Sequence, residues 1–111
     1  MVPAKQDIKI MRGDTEVFNI FVTDSTGAAV DLTGDTFTSQ IRYNRDDTSI
    51  AASFTCAIIN AATGHVRLTL SAVSSGALTA GTAYWDLQRN DSGVITTIVA
   101  GKCTILADVT R

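Results

Sequence analysis

The chain has 111 residues, of which 9 are Lys or Arg and 11 are Asp or Glu, and its net charge is −2 with 18% charged residues. This length predicts a single domain over residues 1–111, and the lack of any cluster of basic residues excludes the charged surface that nucleic-acid binding needs. No apolar run is long enough to span a bilayer, and residues 1–7 lack the apolar stretch of a signal peptide. We therefore expect a protein that folds in the cytoplasm and does not bind membranes.

The residue types favour strands and turns over helices. Glu16 is the single Glu, so nearly all of the acidic residues are Asp. Asp favours turns, whereas Glu favours helix, and the abundant Thr, Val and Ile favour strands. The charged fraction is below the usual quarter, which suggests that part of the surface contacts other protein.

Alternation of apolar and polar residues predicts strands at residues 6–11, 15–23 and 36–43, with a short apolar segment around residues 30–32. The side chains expected to face the core are Ile8, Ile10, Phe18, Ile20, Val22, Phe37, Ser39 and Ile41. Glu16 and Asn19 are expected on the opposite face of the second strand. Turns are predicted at Arg12-Gly13-Asp14, Asp24-Ser25-Thr26-Gly27 and Thr33-Gly34-Asp35.

The second half of the chain continues the alternation and contains the one predicted helix. The predicted strands cover residues 53–59, 65–70, 83–89, 94–100 and 102–109. In the first two of these, the side chains expected to face the core are Phe54, Cys56, Ile58, Val66, Leu68 and Leu70. Gly101 is expected to end the strand at 94–100 and to separate it from the strand at 102–109. A helical turn is predicted near residues 72–79, with Ser71 as its N-cap and Gly81 after its end. Seven or eight short strands with frequent turns predict an all-β, immunoglobulin-like antiparallel β-sandwich.

The tripeptide Arg12-Gly13-Asp14 matches the integrin-binding sequence. Three residues recur by chance, and Gly-Asp is common in turns between strands. We expect Gly13 to supply an unusual backbone dihedral angle and Asp14 to cap the turn.

The candidates for catalysis or metal binding are isolated from one another in the sequence. Asp46-Asp47 lacks the spaced oxygen ligands of a calcium loop and is expected in a solvated loop. Asp86 has no partner acid or base nearby in sequence, and a hydrogen bond to a turn or a hydroxyl is expected. His65, the only His, is expected at the surface, and Ser74-Ser75-Gly76 is a poor substitute for a nucleophile elbow. We therefore predict no catalytic, cofactor-binding or metal-binding residues, and no enzyme.

Two cysteines and one aromatic pair complete the candidates. Cys56 and Cys103 are expected as buried reduced thiols, with a disulfide as the alternative. Tyr84 and Trp85 could form a stacking platform for a ligand such as a carbohydrate. The structural alternative places Trp85 and Leu87 in the core and uses the Tyr84 hydroxyl to hold the corner after the helix.

Several short motifs, in their order along the chain, resemble small virion proteins of tailed bacteriophages. The motifs are Met11-Arg12-Gly13-Asp14-Thr15, Val30-Asp31-Leu32-Thr33-Gly34, Phe37-Thr38-Ser39-Gln40-Ile41-Arg42, Gly81-Thr82-Ala83-Tyr84-Trp85-Asp86-Leu87-Gln88, Asp91-Ser92-Gly93 and the ending from Gly101 to Asp108-Val109-Thr110. The pattern resembles the N-terminal immunoglobulin-like domain of phage baseplate upper proteins and related stand-alone phage proteins. The resemblance implies a β-sandwich that anchors receptor-binding or fibre components, and it supplies no catalytic residues. The sequence departs from the baseplate type by ending at Arg111, without a C-terminal receptor-binding or coiled-coil portion.

We therefore expect a non-enzymatic structural protein of a tailed-phage virion, in the tail, neck or baseplate, made in the cytoplasm of the bacterial host. Its partners would be other virion proteins and copies of itself, with no nucleic acid, membrane, cofactor or small-molecule substrate. Unpaired sheet edges and the loops at residues 28–35 and 43–50 would carry the contacts. A capsid decoration protein is the alternative, and a carbohydrate-binding or adhesion module is the alternative from another class.

Overall fold

The computed structural model describes residues 4–24 and 26–108, and this part of the chain forms eight strands and one short helix. The elements are β1 (Ala4–Lys5), β2 (Ile8–Met11), β3 (Glu16–Phe21), β4 (Thr36–Arg42), β5 (Ala52–Asn60), β6 (His65–Leu70), α1 (Ala72–Gly76), β7 (Gly81–Asp91) and β8 (Val94–Leu106). Ser25 of the predicted turn, and residues 109–111 at the predicted end of the last strand, lie outside the described residues.

The strands form one curled sheet that folds over into two layers. Its order is β1-β8-β7-β4-β5-β6-β3, and β2 also pairs with β8. Strand β5 belongs to both layers, because it pairs with β4 near its start and with β6 from Thr55 onward. Pairing is antiparallel except that β1 and β2 run parallel to β8. The predicted immunoglobulin-like β-sandwich is thus confirmed, with parallel N-terminal strands that the sequence did not predict.

The core lies between the two layers and follows the predicted alternation. In β6, Val66, Leu68 and Leu70 are fully buried, as every second residue of a half-buried strand should be. Trp85 and Leu87 of β7 are also buried, which confirms the structural interpretation of Trp85. Leu32 is completely buried although the segment around it forms no strand.

Glu16 does not lie on the face where the sequence analysis placed it. It has the same parity as Phe18 and Ile20, so its side chain is on the inner side of β3, where its carboxylate lies 3.5 Å from the Met11 amide nitrogen. The helix is shorter than predicted, because its C-cap is Ala77, but the Ser71 side chain accepts a hydrogen bond from the Ser74 amide as expected of an N-cap.

The sequence predicted that Gly101 interrupts the last strand, and this prediction is wrong. Strand β8 runs unbroken through it, and the irregularity in the β7–β8 ladder lies elsewhere, between Leu87 and Gln88. A Cβ atom at Gly101 would overlap the backbone carbonyl of Gln6, whose carbon would be only 2.6 Å away. Glycine is required here because the β1–β2 connection crosses directly over the strand.

Candidate functional surfaces

The Arg12-Gly13-Asp14 tripeptide forms the turn between β2 and β3. Gly13 has a φ of +83°, which confirms its predicted backbone role. The Asp14 amide closes the turn by donating to the carbonyl three residues earlier, so its backbone performs the task predicted for its side chain. The Arg12 guanidinium donates to the Gly76 carbonyl at 3.1 Å and lies 3.7 Å from the Asp108 carboxylate. The arginine therefore connects the turn to α1.

The serines of α1 are structural. The hydroxyl of the fully buried Ser75 donates to the Asp14 carbonyl at 2.6 Å, which ties the helix to the same turn. The Ser74 amide is occupied by the Ser71 side chain. A hydroxyl that donates within the fold in this way is not presented as a nucleophile.

The loop after β4 is fixed by hydrogen bonds to its backbone groups, from a side chain of β4 and from a side chain within the loop. The Arg42 guanidinium donates to the Asp47 carbonyl at 2.8 Å, and the Asp47 carboxylate accepts from the Asn44 amide at 3.1 Å. Within residues 4–24 and 26–108, no three His, Cys, Asp or Glu side chains are grouped so that they could hold a metal ion. Asp46 is exposed and Asp47 is partly buried in this loop.

The loop at residues 28–35 is fixed in the same manner. The Asp31 carboxylate accepts from both the amide and the hydroxyl of Thr33, and these hydrogen bonds lower the Asp31 pKa, the hydroxyl most strongly. Asp35, at its end, forms a 2.6 Å ion pair with Arg89 of β7. This loop is therefore an ordered surface that is anchored to the sandwich.

His65 lies on the outer face of β6. Its ring stacks on Phe21 of the neighbouring strand at a centroid distance of 4.5 Å, and its Nε2 is 2.9 Å from the Asn19 side-chain oxygen. Arg67 donates to the same oxygen at 3.2 Å. His65 has no carboxylate among these contacts, so its environment is that of a surface packing residue.

Both cysteines are free thiols, as predicted. Cys103 is fully buried, and Cys56 is partly buried. Burial raises the pKa of Cys103 to about 12, with a smaller contribution from the Glu16 carboxylate, and burial also raises the pKa of Cys56. Neither thiol is the low-pKa thiolate that reactive cysteines need.

The corner after the helix is held by Tyr43 rather than by Tyr84. The Tyr43 hydroxyl accepts a hydrogen bond from the Thr79 amide at 2.9 Å. Tyr84 instead lies on the outer face of β7, where the Arg45 guanidinium carbon is 4.8 Å from the centre of its ring. The proposed corner role of Tyr84 is therefore wrong, and the stacking position above its ring is occupied by an arginine.

Tyr84 and Asp86 form the floor of a shallow pocket on the outer face of the β8-β7-β4 layer. Its volume is about 310 Å³. Cross-strand pairing places Arg42 and Lys102 on either side of Tyr84, while Gln40 and Ala100 flank Asp86. We call this site the polar pocket, and its lining residues are Lys5, Gln40, Arg42, Arg45, Tyr84, Trp85, Asp86, Ala100, Gly101 and Lys102.

Asp86 is half-buried in the polar pocket. Burial raises the pKa of its carboxyl, while the nearby Arg42 guanidinium opposes this shift. The pocket thus brings the Asp86 carboxylate and the Tyr84 ring, which the sequence analysis considered as candidates, together with four cationic side chains that it did not single out, Lys5, Arg42, Arg45 and Lys102. This arrangement can bind an anionic or hydroxyl-rich group through hydrogen bonds and charge. Among the described residues that line it, the pocket holds no second carboxylate and no histidine beside Asp86.

The outer face of β3 exposes apolar side chains. Val17 is 50% exposed and Phe21 is 60% exposed, and they flank Asn19 on the same face. On the inner face, Phe18 and Ile20 are only partly buried. Both rows of apolar side chains on this strand are thus incompletely covered.

The two edges of the curled sheet differ in charge. The β1–β2 edge carries Lys5 and Lys9, whereas the β3 edge has no charged side chain between residues 17 and 21. Within the described residues, no strand pairs with the outer side of β3. An open groove of about 560 Å³ separates this edge from β1, and Ile20, Phe21 and Ile98 are among its lining residues.

Comparison with known proteins supports the fold. No family model and no curated protein matches the sequence. Among solved structures, the chain is similar to the N-terminal domain of phage TP901-1 ORF48, at 12% identity and a TM-score of 0.50, over 97% of this chain and 91% of that one.

No helix in the described residues is long and apolar enough to cross a membrane.

Two further solved structures are similar at lower scores. One is the Lin-41 filamin domain, at 15% identity and a TM-score of 0.47, over 87% of this chain and 81% of that one. The other is InlP of Listeria monocytogenes, at 13% identity and a TM-score of 0.43, over 93% of this chain and 26% of that one.

Proposed function

We propose that this chain is a non-enzymatic structural component of a tailed-phage virion, located in the tail, neck or baseplate. It would mediate protein–protein assembly or the attachment of fibres. The observation that carries the structural role is the incompletely covered β3, where Val17 and Phe21 are exposed beside an edge with which no strand of residues 4–24 and 26–108 pairs. Exposed apolar groups next to free backbone donors and acceptors are what a partner strand or surface requires.

The phage setting is supported by two independent likenesses. The motif order in the sequence resembles phage virion proteins, and the fold is similar to a domain of phage TP901-1 ORF48 over 97% of the chain. Since folds host many functions, the fold supports the setting without assigning the position in the particle. We propose the virion as the location, with synthesis in the host cytoplasm, and other virion proteins and copies of this chain as partners.

A non-enzymatic role fits the environment of each candidate residue. Ser75 and His65 are engaged in packing and hydrogen bonds within the fold, and Cys103 is buried as a thiol. Asp86 lies in a pocket whose described lining residues include no second carboxylate and no histidine. Catalysis needs such groups in mutual contact, with pKa values matched to proton transfer.

Protein analysis of purified particles tests the proposal. Mass spectrometry and cryo-electron microscopy of a phage that encodes this chain should find it in the mature virion. About three, six or twelve copies per particle would indicate the tail, neck or baseplate, because these structures have closed rotational symmetry. On the order of hundreds of copies would indicate the alternative of a capsid decoration protein. Absence from mature particles would reject a structural role.

The polar pocket favours a second candidate, a carbohydrate-binding or adhesion module. Tyr84, Asp86 and Lys102 could bind the hydroxyl and acidic groups of a glycan. A glycan array should then show binding that is lost on Tyr84→Ala and kept on Lys9→Ala, in variants that remain folded. If the wild-type chain bound no glycan on the array, the carbohydrate-binding role of the polar pocket would be rejected.

A further inference from the structure

Strand β3 lies at one end of the sheet, and no strand of the described residues pairs with its outer side. We propose that two copies of this chain pair antiparallel along β3, with Asn19 of one copy directly opposite Asn19 of the other, around a two-fold axis. This inference deepens the proposed function, because it assigns the surface through which copies of the chain associate.

The direction of the backbone groups supports the pairing. The Val22 amide, at the end of β3, donates to the Gly64 carbonyl on the β6 side at 2.8 Å, and the β3–β6 register continues this pairing at even-numbered residues. Since amide and carbonyl groups alternate in direction along a strand, those of residues 17, 19 and 21 point toward the free edge. An antiparallel partner centred on Asn19 places these three residues opposite the same three residues of the other copy.

The side chains match in the same register. On the outer face, Val17 lies opposite Phe21, and Asn19 lies opposite itself. On the inner face, Phe18 lies opposite Ile20, so apolar side chains pair with apolar ones in both rows. A shift of two residues in either direction would place Asn19 opposite an apolar side chain, Val17 or Phe21, and lose this match.

The distribution of charge favours pairing along β3 over pairing along the β1–β2 edge. In the Asn19-centred register, the nearest charged residue of the strand, Glu16, lies opposite the apolar Val22. Pairing along the β1–β2 edge would instead bring lysines of two copies together, since Lys5 and Lys9 lie there. Edge lysines are a common means of preventing strand addition, and β3 has none.

The Asn19 side chain is compatible with a position on the axis. Its oxygen is occupied by Arg67 and His65 of the same chain, at 3.2 and 2.9 Å. Its amide group can therefore donate across the axis. Phe18 and Ile20 are only partly buried in the single chain. Pairing would place apolar side chains of the second copy next to them and cover them further.

The interface is expected to be weak in isolation. One strand pair covers less than the roughly 1,600 Å² of a standard specific interface. Association should therefore increase with protein concentration, and a particle that holds many copies would favour it.

Sedimentation equilibrium of the purified chain tests the dimer. We expect a concentration-dependent shift from 11.7 kDa toward twice that mass. Asn19→Lys should abolish the shift by placing two ammonium groups face to face. Thr55→Lys is the matched control, because Thr55 lies on the same outer face but two strands from the edge. A dimer that survives Asn19→Lys, or a wild-type chain that stays monomeric at its solubility limit, would overturn the proposal.

Disulfide trapping tests the register. Under oxidation, Asn19→Cys should form a covalent dimer, since paired Cα atoms across antiparallel strands lie about 5.5 Å apart. Val17→Cys, at a position that is 50% exposed, should not, because the register places it opposite Phe21. Equal trapping of both variants would reject this register.

Hydrogen exchange tests the pairing in the wild-type chain, so its result does not depend on whether a variant folds. The amides of Val17, Asn19 and Phe21 should gain protection as the concentration rises, and unchanged fast exchange would argue against pairing. These outcomes are independent of the virion experiments: a monomeric chain found in particles would reject only the β3 pairing, and a dimer missing from particles would reject only the virion role.

Discussion

The indole nitrogen of Trp85 donates a 2.8 Å hydrogen bond to the backbone carbonyl of Gln6, across 79 residues of sequence. The Gln6 amide donates to the Ala100 carbonyl at 3.0 Å, so both backbone groups of this residue are bound to the β7–β8 pair. The connection between β1 and β2 is thereby fixed over Gly101. The N-terminal strands are held by a core side chain as well as by their own pairing with β8.

Trp85→Phe removes this hydrogen bond and leaves the Gln6 carbonyl without its donor. We expect the free energy of unfolding to fall by about 2 kcal/mol, from the unsatisfied acceptor and the lost ring volume. Urea unfolding measures the change. Tyr84→Phe, on the opposite face of the same strand, should stay within about 0.5 kcal/mol. Equal losses for the two variants would contradict the role given to Trp85.

Gly101→Ala should destabilise the protein severely, because the new methyl group would overlap the Gln6 carbonyl. Relief requires the β1–β2 connection to move away from β8, so amide exchange in β1 should also accelerate. Gly76→Ala is the control, since its Cβ would be 3.7 Å from the nearest atom, in ordinary contact. Thermal unfolding of both variants checks the difference, and equal stability would show that the close approach is not maintained.

Asp35→Ala leaves Arg89 without its closest partner. The Asp35 side chain is 2% exposed, and the ion pair joins the segment before β4 to β7 at 2.6 Å. Breaking a buried pair from one side typically costs about 3 kcal/mol, and we expect a loss of this order. Asp91→Ala removes the weaker partner, 56% exposed and 3.6 Å from Arg89, and should change stability by about 0.5 kcal/mol or less. The reverse ranking in chemical denaturation would reject this assignment.

Asp86→Asn should stabilise the protein at neutral pH. Burial raises the Asp86 pKa in the folded chain above its ordinary value, so the folded state binds the proton more readily than the unfolded state. Stability from this group is therefore highest at low pH and falls as the pH rises through the folded-state pKa. The Tm of the variant should exceed that of the wild type at pH 7, and the difference should shrink as the pH approaches 4. A destabilised variant at pH 7 would mean that the Arg42 attraction outweighs burial.

Cys103 should resist alkylation in the native protein at pH 8. Its pKa of about 12 leaves it almost entirely as the unreactive thiol, and its side chain is fully buried. Iodoacetamide labelling followed by mass spectrometry should show modification only of Cys56, whose side chain is partly exposed. Denaturation should make both residues react. Rapid native labelling of Cys103 would show that β8 opens at this position.

The strand content and the core were predictable because they depend on local periodicity. Alternation identified Val66, Leu68 and Leu70 as buried, and the N-cap of the short helix could be read at Ser71. The same rule, applied strictly, would have placed Glu16 on the inner face, since it has the parity of Phe18.

The polar pocket and the corner could not be predicted in this way. Tyr84 acquires its neighbours Arg42 and Lys102 from two different strands, and Tyr43 reaches the Thr79 amide from 36 residues away. These contacts depend on which strands are adjacent and in what register. The sequence carries no short-range signal for either choice.

By itself, the sequence determined the class of structure, an all-β sandwich with one helical turn, because the two-residue period of apolar side chains is a property of the chain. The tertiary structure decided what each conspicuous residue does. It bonded Trp85 to the N-terminal connection, set Gly101 beneath Gln6, and left β3 as an edge with no charged side chain between residues 17 and 21. Strand pairing makes that decision, since it brings together backbone and side-chain groups that are distant in sequence and sets which of them remain exposed.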